Sequence, residues 1–162
     1  MPTYAKETQV PADRSRAEIE RTLSRYGATA FAYGWQGTRA AIQFEIHNRR
    51  YRIALPLPDK SAPEFTRTPA RGNRRSSDAA QAAWEQATRQ RWRALALWVK
   101  AVLEASEAGI VTVEEALGPF VVLPDGSTVG EWLAPQLERI YETGQMPPML
   151  PGLPAPREEG ER

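Results

Sequence analysis

From Asp78 to Ala108 the chain runs DAAQAAWEQATRQRWRALALWVKAVLEASEA, 31 residues without glycine or proline. Ala, Leu, Gln, Glu, Arg and Lys dominate it, and all are good helix formers. One helix of this length is a rod of about 45 Å, and every other element must pack against it or extend from it. Ala80, Ala83, Trp84, Ala87, Ala94, Leu95, Trp98 and Val102 recur at i, i+3 and i+4, the spacing of one buried stripe. Asp78 with Gln81 predicts a capping-box start, and Gly109 predicts a left-handed stop. Trp92, Leu97, Val99 and Leu103 lie off that stripe. They predict a second covered face, shared between C-terminal residues and another subunit. A homo-oligomer is therefore expected, a twofold dimer being the commonest form.

Ahead of the rod, Ser15 and Glu18 match a capping box opening a helix at Arg16, with Ile19, Leu23 and Tyr26 buried and Gly27 as its end. Three alternating segments follow: Thr29 to Trp35, Arg39 to His47 and Arg50 to Leu57, joined by turns at Gln36-Gly37 and Asn48-Arg49. Ala40, Ile42, Phe44, Ile46, Tyr51, Ile53, Leu55 and Leu57 would face the core. Arg39, Gln43, Glu45, His47, Arg50 and Arg52 would face water, the pattern of an antiparallel sheet with one wet face. Residues 58–77 lack periodicity and read as one long basic loop carrying Lys60, Arg67, Arg71, Arg74 and Arg75. Beyond the rod, Thr112/Glu115 and Thr128/Glu131 form two more capping boxes, with Gly118-Pro119 and Gly144 as the respective stops. Phe120 to Leu123 reads as a short strand, and Pro124-Asp125-Gly126 as a turn. The fold class expected is α+β. A three-stranded antiparallel sheet packs on a short N-terminal helix and one long helix, and a small helical C-terminal lobe closes the far end. Residues 1–153 form the single domain, and 154–162 a disordered tail.

Composition narrows the chemistry. The 162 residues include no cysteine and one histidine, His47. Disulfides, thiolate metal sites and cysteine nucleophiles are excluded, and a histidine-based site would rest on His47 alone. No catalytic residue, metal ligand or cofactor is assigned, and the chain reads as a non-enzyme. The N-terminus lacks an apolar signal core, and the longest apolar run, Ala94 to Val99, is too short to span a bilayer. A cytoplasmic protein is expected. Charge is uneven: residues 39–100 hold 13 Lys/Arg against 5 Asp/Glu, and residues 101–162 hold 3 against 11. A basic middle of net +8 points to an anionic partner, or to the net −8 end of another copy.

Arginine is the natural phosphate ligand because its planar fork matches phosphate oxygens. Arg71, Arg74 and Arg75 precede the N-terminus of the rod, where free N–H groups favour anions. Arg50 and Arg52 stand on the wet sheet face. Arg89 and Arg93, four apart, share one face of the rod, and Trp92 beside them offers a surface on which a base could stack.

The order helix, three strands, long helix resembles that of the double-stranded-RNA-binding domain. Here SSDAAQAA stands where that domain has a lysine-rich helix start, and Trp35-Gln36-Gly37-Thr38 replaces its first strand turn. A closer resemblance rests on SRAEIERTLSRYGA (15–28), YRIALPLPD (51–59), ATRQRWRALALWVKA (87–101), LPDGSTVGEW (123–132) and ETGQMPPMLPG (142–152). In these stretches the chain resembles an uncharacterised family of small proteins from phages and prophages of actinobacteria. That resemblance implies a phage accessory role in the host cytoplasm, and no reaction. The expected function is nucleic-acid binding through the basic middle segment. The alternative is a counter-defence protein that sequesters a small anionic nucleotide or binds a host protein.

Overall fold

Alternation of apolar and polar residues builds a meander of three strands: β1 (Ala30–Gln36), β2 (Arg39–Ile46) and β3 (Arg49–Pro56). The computed structural model describes residues 12–146. The strands pair antiparallel in the order β1-β2-β3, with Tyr33 opposite Ile42 and Ile42 opposite Ile53. Ala40, Ile42, Phe44, Ile46, Tyr51 and Ile53 are buried on one face. The rings of Phe44 and Tyr51, directly opposite each other, stack at 5.3 Å.

Both large helices cover that face. α1 (Asp13–Arg25) contributes Ile19 and Leu23 to the core. A one-turn helix, α2 (Pro63–Thr66), precedes the long helix α3 (Ser77–Glu107), which contributes Trp92, Leu95, Ala96, Val99 and Leu103. α4 (Val113–Leu117) adds Val113 and Leu117. Each large apolar side chain buried here is worth about 1.5–3 kcal/mol, so this one layer holds the fold together. The architecture is α+β, as expected from the sequence.

Several boundaries differ from expectation. α1 starts at Asp13 with Ala12 before it and no side-chain cap, so Ser15 and Glu18 lie inside the helix. Asp13 instead pairs with Arg16 one turn on, which holds the helix start without a capping box. Its stop is as expected: Gly27 has φ +93°, and the Ala28 N–H donates to the Leu23 carbonyl at 3.0 Å. The turns fall at Gly37-Thr38 and His47-Asn48. His47 and Asn48 have φ of +50° and +58°, the geometry that a two-residue hairpin of native twist demands. His47 therefore sits in a turn and not on the wet face.

α3 is capped by Ser76, whose Oγ accepts the Ala79 N–H at 3.3 Å, two residues before the expected cap. Its buried positions are Trp84, Thr88, Trp92, Leu95, Ala96, Val99 and Leu103. The buried stripe is rotated from the expected one: Ala94 and Trp98 are both exposed, Trp98 meeting the Phe120 ring in a T-shaped contact at 5.4 Å. Trp92, Val99 and Leu103 make the main face rather than a second one. Apolar residues stand on most bearings of this helix, and the sheet selects the bulkier set over a row of alanines.

Val121 bridges to Tyr51, and the Val122 N–H donates to the Arg50 carbonyl at 2.8 Å, so this segment extends the sheet beyond β3. The 3-10 turn Gly118–Phe120 and α5 (Val129–Thr143) complete the described chain. Thr128 and Glu131 form the expected capping box, and Gly144 at φ +66° the expected stop. No residue of α5 is buried, and Trp132, Leu137 and Tyr141 are exposed. The C-terminal part thus flanks the β3 edge more than it closes an end. The domain limit at 153 and the tail 154–162 lie outside the described residues. No helix among the described residues is long and apolar enough to cross a membrane.

Candidate nucleic-acid interface

The segment between β3 and α3, expected as one long loop without periodicity, contains a one-turn helix and a small hairpin. Asp59 accepts hydrogen bonds from the Ser61 N–H and hydroxyl, at 2.9 and 2.7 Å. Those bonds hold its carboxyl below the usual carboxylate range. Phe65 of α2 is buried, and the Trp84 indole donates to the Pro58 carbonyl at 2.8 Å. These aromatic anchors tie the segment to the first turns of α3. They leave no periodic trace in the sequence, because one side chain per turn of chain suffices.

A small hairpin follows. Arg67 and Arg74 form an antiparallel bridge, and Thr68 N–H donates to Asn73 O at 2.8 Å. Arg75 N–H donates to Thr66 O at 2.8 Å, and Arg75 Nε to Arg67 O at 3.1 Å. Gly72 turns the tip at φ +63°, where a side chain would be strained. Arg75 is half-buried and spent on the hairpin itself, whereas Arg71 and Arg74 are exposed. Among the described residues neither Arg71 nor Arg74 takes part in an ion pair. Arg67, which sequence reasoning left out of the candidate site, belongs with them. Its signal was the spacing Thr68…Gly72-Asn73, turn-forming residues flanked by arginines.

This hairpin feeds directly into Ser76 and the α3 N-terminus. Helices α1 and α3 run in the same direction. At one end the Arg16 guanidinium lies 5.8 Å from the Trp92 ring, and at the other the Tyr26 hydroxyl donates to Glu107 at 3.2 Å. Burial first, then that hydrogen bond, raises the Tyr26 phenol. The linear charge split thereby becomes two poles. Lys60, Arg67, Arg71, Arg74 and Arg75 cluster before the α3 N-terminus, and Glu104, Glu107, Glu114 and Glu115 gather near its C-terminus. Cations before the N-terminus and acids in the last turn are the reverse of what stabilises a helix dipole. The arrangement costs stability and strengthens the positive field at the hairpin.

The remaining candidates do not join this site. Arg50 and Arg52 stand on the sheet face turned away from α1 and α3, so the sheet separates them from Arg89 and Arg93. Arg52 is held by the Gly126 carbonyl at 2.7 Å and by Glu131 at 3.0 Å. Glu131 is kept below the usual carboxylate range, first by the Thr128 N–H and then by Arg52. Arg89 pairs with Glu85 at 3.9 Å, and Arg93 is exposed. Trp92 is 3% exposed. It is a core residue with no open ring face, which corrects its reading as a stacking surface: the helix turns it onto the sheet and Arg16.

On the outer sheet face, Gly34, Ala41 and Ala54 lie opposite one another across all three strands and form the floor of an open trough of about 510 Å³. Arg39, Gln43 and Arg52 line it. At the acidic pole, His47 Nδ1 lies 3.0 Å from Glu114, and this hydrogen bond is the main cause holding the Glu114 carboxyl low. No known family model, curated protein or solved structure matches the chain.

Proposed function

We propose that this chain is a non-enzymatic, phage-type accessory protein that binds nucleic acid through the arginine hairpin at 67–75. The observation that carries this reading is the hairpin, which presents Arg71 and Arg74 beside the α3 N-terminus with no carboxylate partner among the described residues. Two forked cations and a positive helix end are suited to adjacent phosphates along a backbone. Arg89 and Arg93 extend the contact along α3. Arg50, Arg52 and Trp92 have no part in it. Because the contacts are to phosphate, binding carries little sequence preference.

Phosphate contacts release counterions, so affinity must fall steeply with salt. The test is fluorescence anisotropy with single- and double-stranded DNA and RNA oligonucleotides over a salt series. Replacing Arg71 and Arg74 together by Gln is expected to weaken binding at low salt about tenfold or more and to reduce the log–log salt slope by roughly 2. Absence of binding at low salt, or a slope unchanged in the double variant, refutes the reading. The trough on the outer sheet face supports a second reading, sequestration of a small planar anion between Arg39 and Arg52. A filled pocket of that kind raises Tm and has a shallow salt dependence, and Arg39→Gln would abolish the shift.

A further inference from the structure

The edge of β1 is unpaired among the described residues, and the ladder tells which of its groups face outward. Leu57 N–H donates to Thr38 O at 2.7 Å, which makes Thr38 and Leu57 a hydrogen-bonded pair. Such pairs recur at every second residue of an antiparallel ladder. Ala40, Ile42, Phe44 and Ile46 therefore aim their main-chain groups at β3, and Arg39, Ala41, Gln43 and Glu45 aim theirs at β1. The β1 partners of the latter are Gln36, Gly34, Ala32 and Ala30. By elimination, the N–H and C=O groups of Phe31, Tyr33 and Trp35 point away from the sheet.

Proteins normally blunt such an edge with a charge, a proline or a covering segment. β1 reads AFAYGWQ and has neither charge nor proline. Two of its three large side chains, Tyr33 and Trp35, stack at 6.2 Å and remain 43% and 48% exposed although they belong to the core-facing side.

We propose that this edge joins two copies of the chain: β1 pairs antiparallel with β1 of a second copy, about a twofold axis through Tyr33. The strand complements itself in this register. Tyr33 meets Tyr33 of the second copy, Phe31 meets its Trp35, and the outward groups of all three residues are satisfied. Registers centred on Ala32 or Gly34 leave part of that set unpaired. On the outer face Ala32 meets Gly34, so the small-residue floor continues across the seam. Charge also selects a second copy as the occupant. β1 starts after α1, whose Tyr26 reaches Glu107 of the acidic pole, and ends at Trp35 and Gly37, which line a small cavity with Trp84 and Trp92 of α3, so it runs in the direction from the acidic toward the basic pole. Antiparallel pairing sets the basic pole of each copy beside the acidic pole of the other, twice, which steers this association and disfavours a parallel one. The interface places the contact at β1, whereas the sequence placed it on the second face of α3. It does not depend on nucleic-acid binding.

Light scattering on the full chain over roughly 1–100 µM, the range of ordinary transient contacts, is expected to show twice the 18.1 kDa chain mass at the upper end. An edge strand accepts proline where its N–H faces outward, so Tyr33→Pro is expected to keep the circular dichroism spectrum and to weaken dimerisation by about tenfold or more. Hydrogen exchange on the unmodified chain is the companion measurement. The Phe31, Tyr33 and Trp35 amides are expected to exchange slowly when concentrated and quickly on dilution. A monomer mass at every concentration, a dimer of unchanged affinity in folded Tyr33→Pro, or protection insensitive to dilution each overturns the proposal; the last assigns the edge to a segment of the same chain. If Tyr33→Pro fails to fold, the exchange experiment decides alone.

Discussion

Gly130, the second residue of α5, offers a test in which two opposed terms predict opposite signs. A glycine inside a helix costs about 0.8–1 kcal/mol relative to alanine, so Gly130→Ala at an unconstrained site would stabilise by up to that amount. Here an added Cβ would lie 3.0 Å from the Pro119 carbonyl oxygen and 3.4 Å from the Pro119 Cβ. The oxygen belongs to the 3-10 turn, which is fixed from behind by buried Leu117 and by Phe120 against Trp98. It has little freedom to retreat. Forcing extra methylene volume into such a contact costs about 1–3 kcal/mol. The net expectation is destabilisation by about 1 kcal/mol, a fall in Tm of about 2–4 °C for a domain of this size. The loss should concentrate in α5, whose main contact within the described chain is with that turn. Thermal unfolding followed by circular dichroism measures the net sign, and hydrogen exchange of residues 129–143 locates it. A rise in Tm with unchanged exchange in α5 would refute the argument, because it would mean that the contact with Pro119 yields freely.

Trp92→Ala should destabilise by about 3–5 kcal/mol, as the loss of a large buried aromatic does; a variant that melts normally but has lost oligonucleotide binding would restore Trp92 as a stacking surface. Acid sensitivity should come from the depressed carboxylates Asp59, Glu114, Glu115, Asp125 and Glu131. Their folded-state pKa values lie below the unfolded ones, so their contribution is complete above about pH 4.5 and is lost as pH falls through the folded values. Urea midpoints should therefore decline below about pH 4.5, less steeply in Glu131→Gln. A profile that is flat down to pH 3, or equal slopes in the two proteins, would show that these bonds do not couple to folding.

What the amino-acid sequence determined by itself was whatever depends on residues a few positions apart. The Thr112/Glu115 and Thr128/Glu131 boxes cap their helices as read, and Gly27, Gly109 and Gly144 stop theirs with positive φ. Alternation in β2 and β3 decided which residues face the core, because the pleat sends neighbours to opposite sides. What tertiary structure decided was every choice between locally equivalent options. α3 carries apolar residues on several bearings, and only contact with the sheet selected Trp92, Val99 and Leu103 over Ala94 and Trp98. Residues 58–77 show no period, since Phe65 and Trp84 order them by one long-range anchor each. The seven candidate arginines looked like one basic segment, yet the meander sends Arg50 and Arg52 to the sheet face opposite α3, away from Arg71 and Arg74. Chain proximity sets charge along a line; the side of a sheet or helix on which each charge emerges is settled only when those surfaces compete for burial.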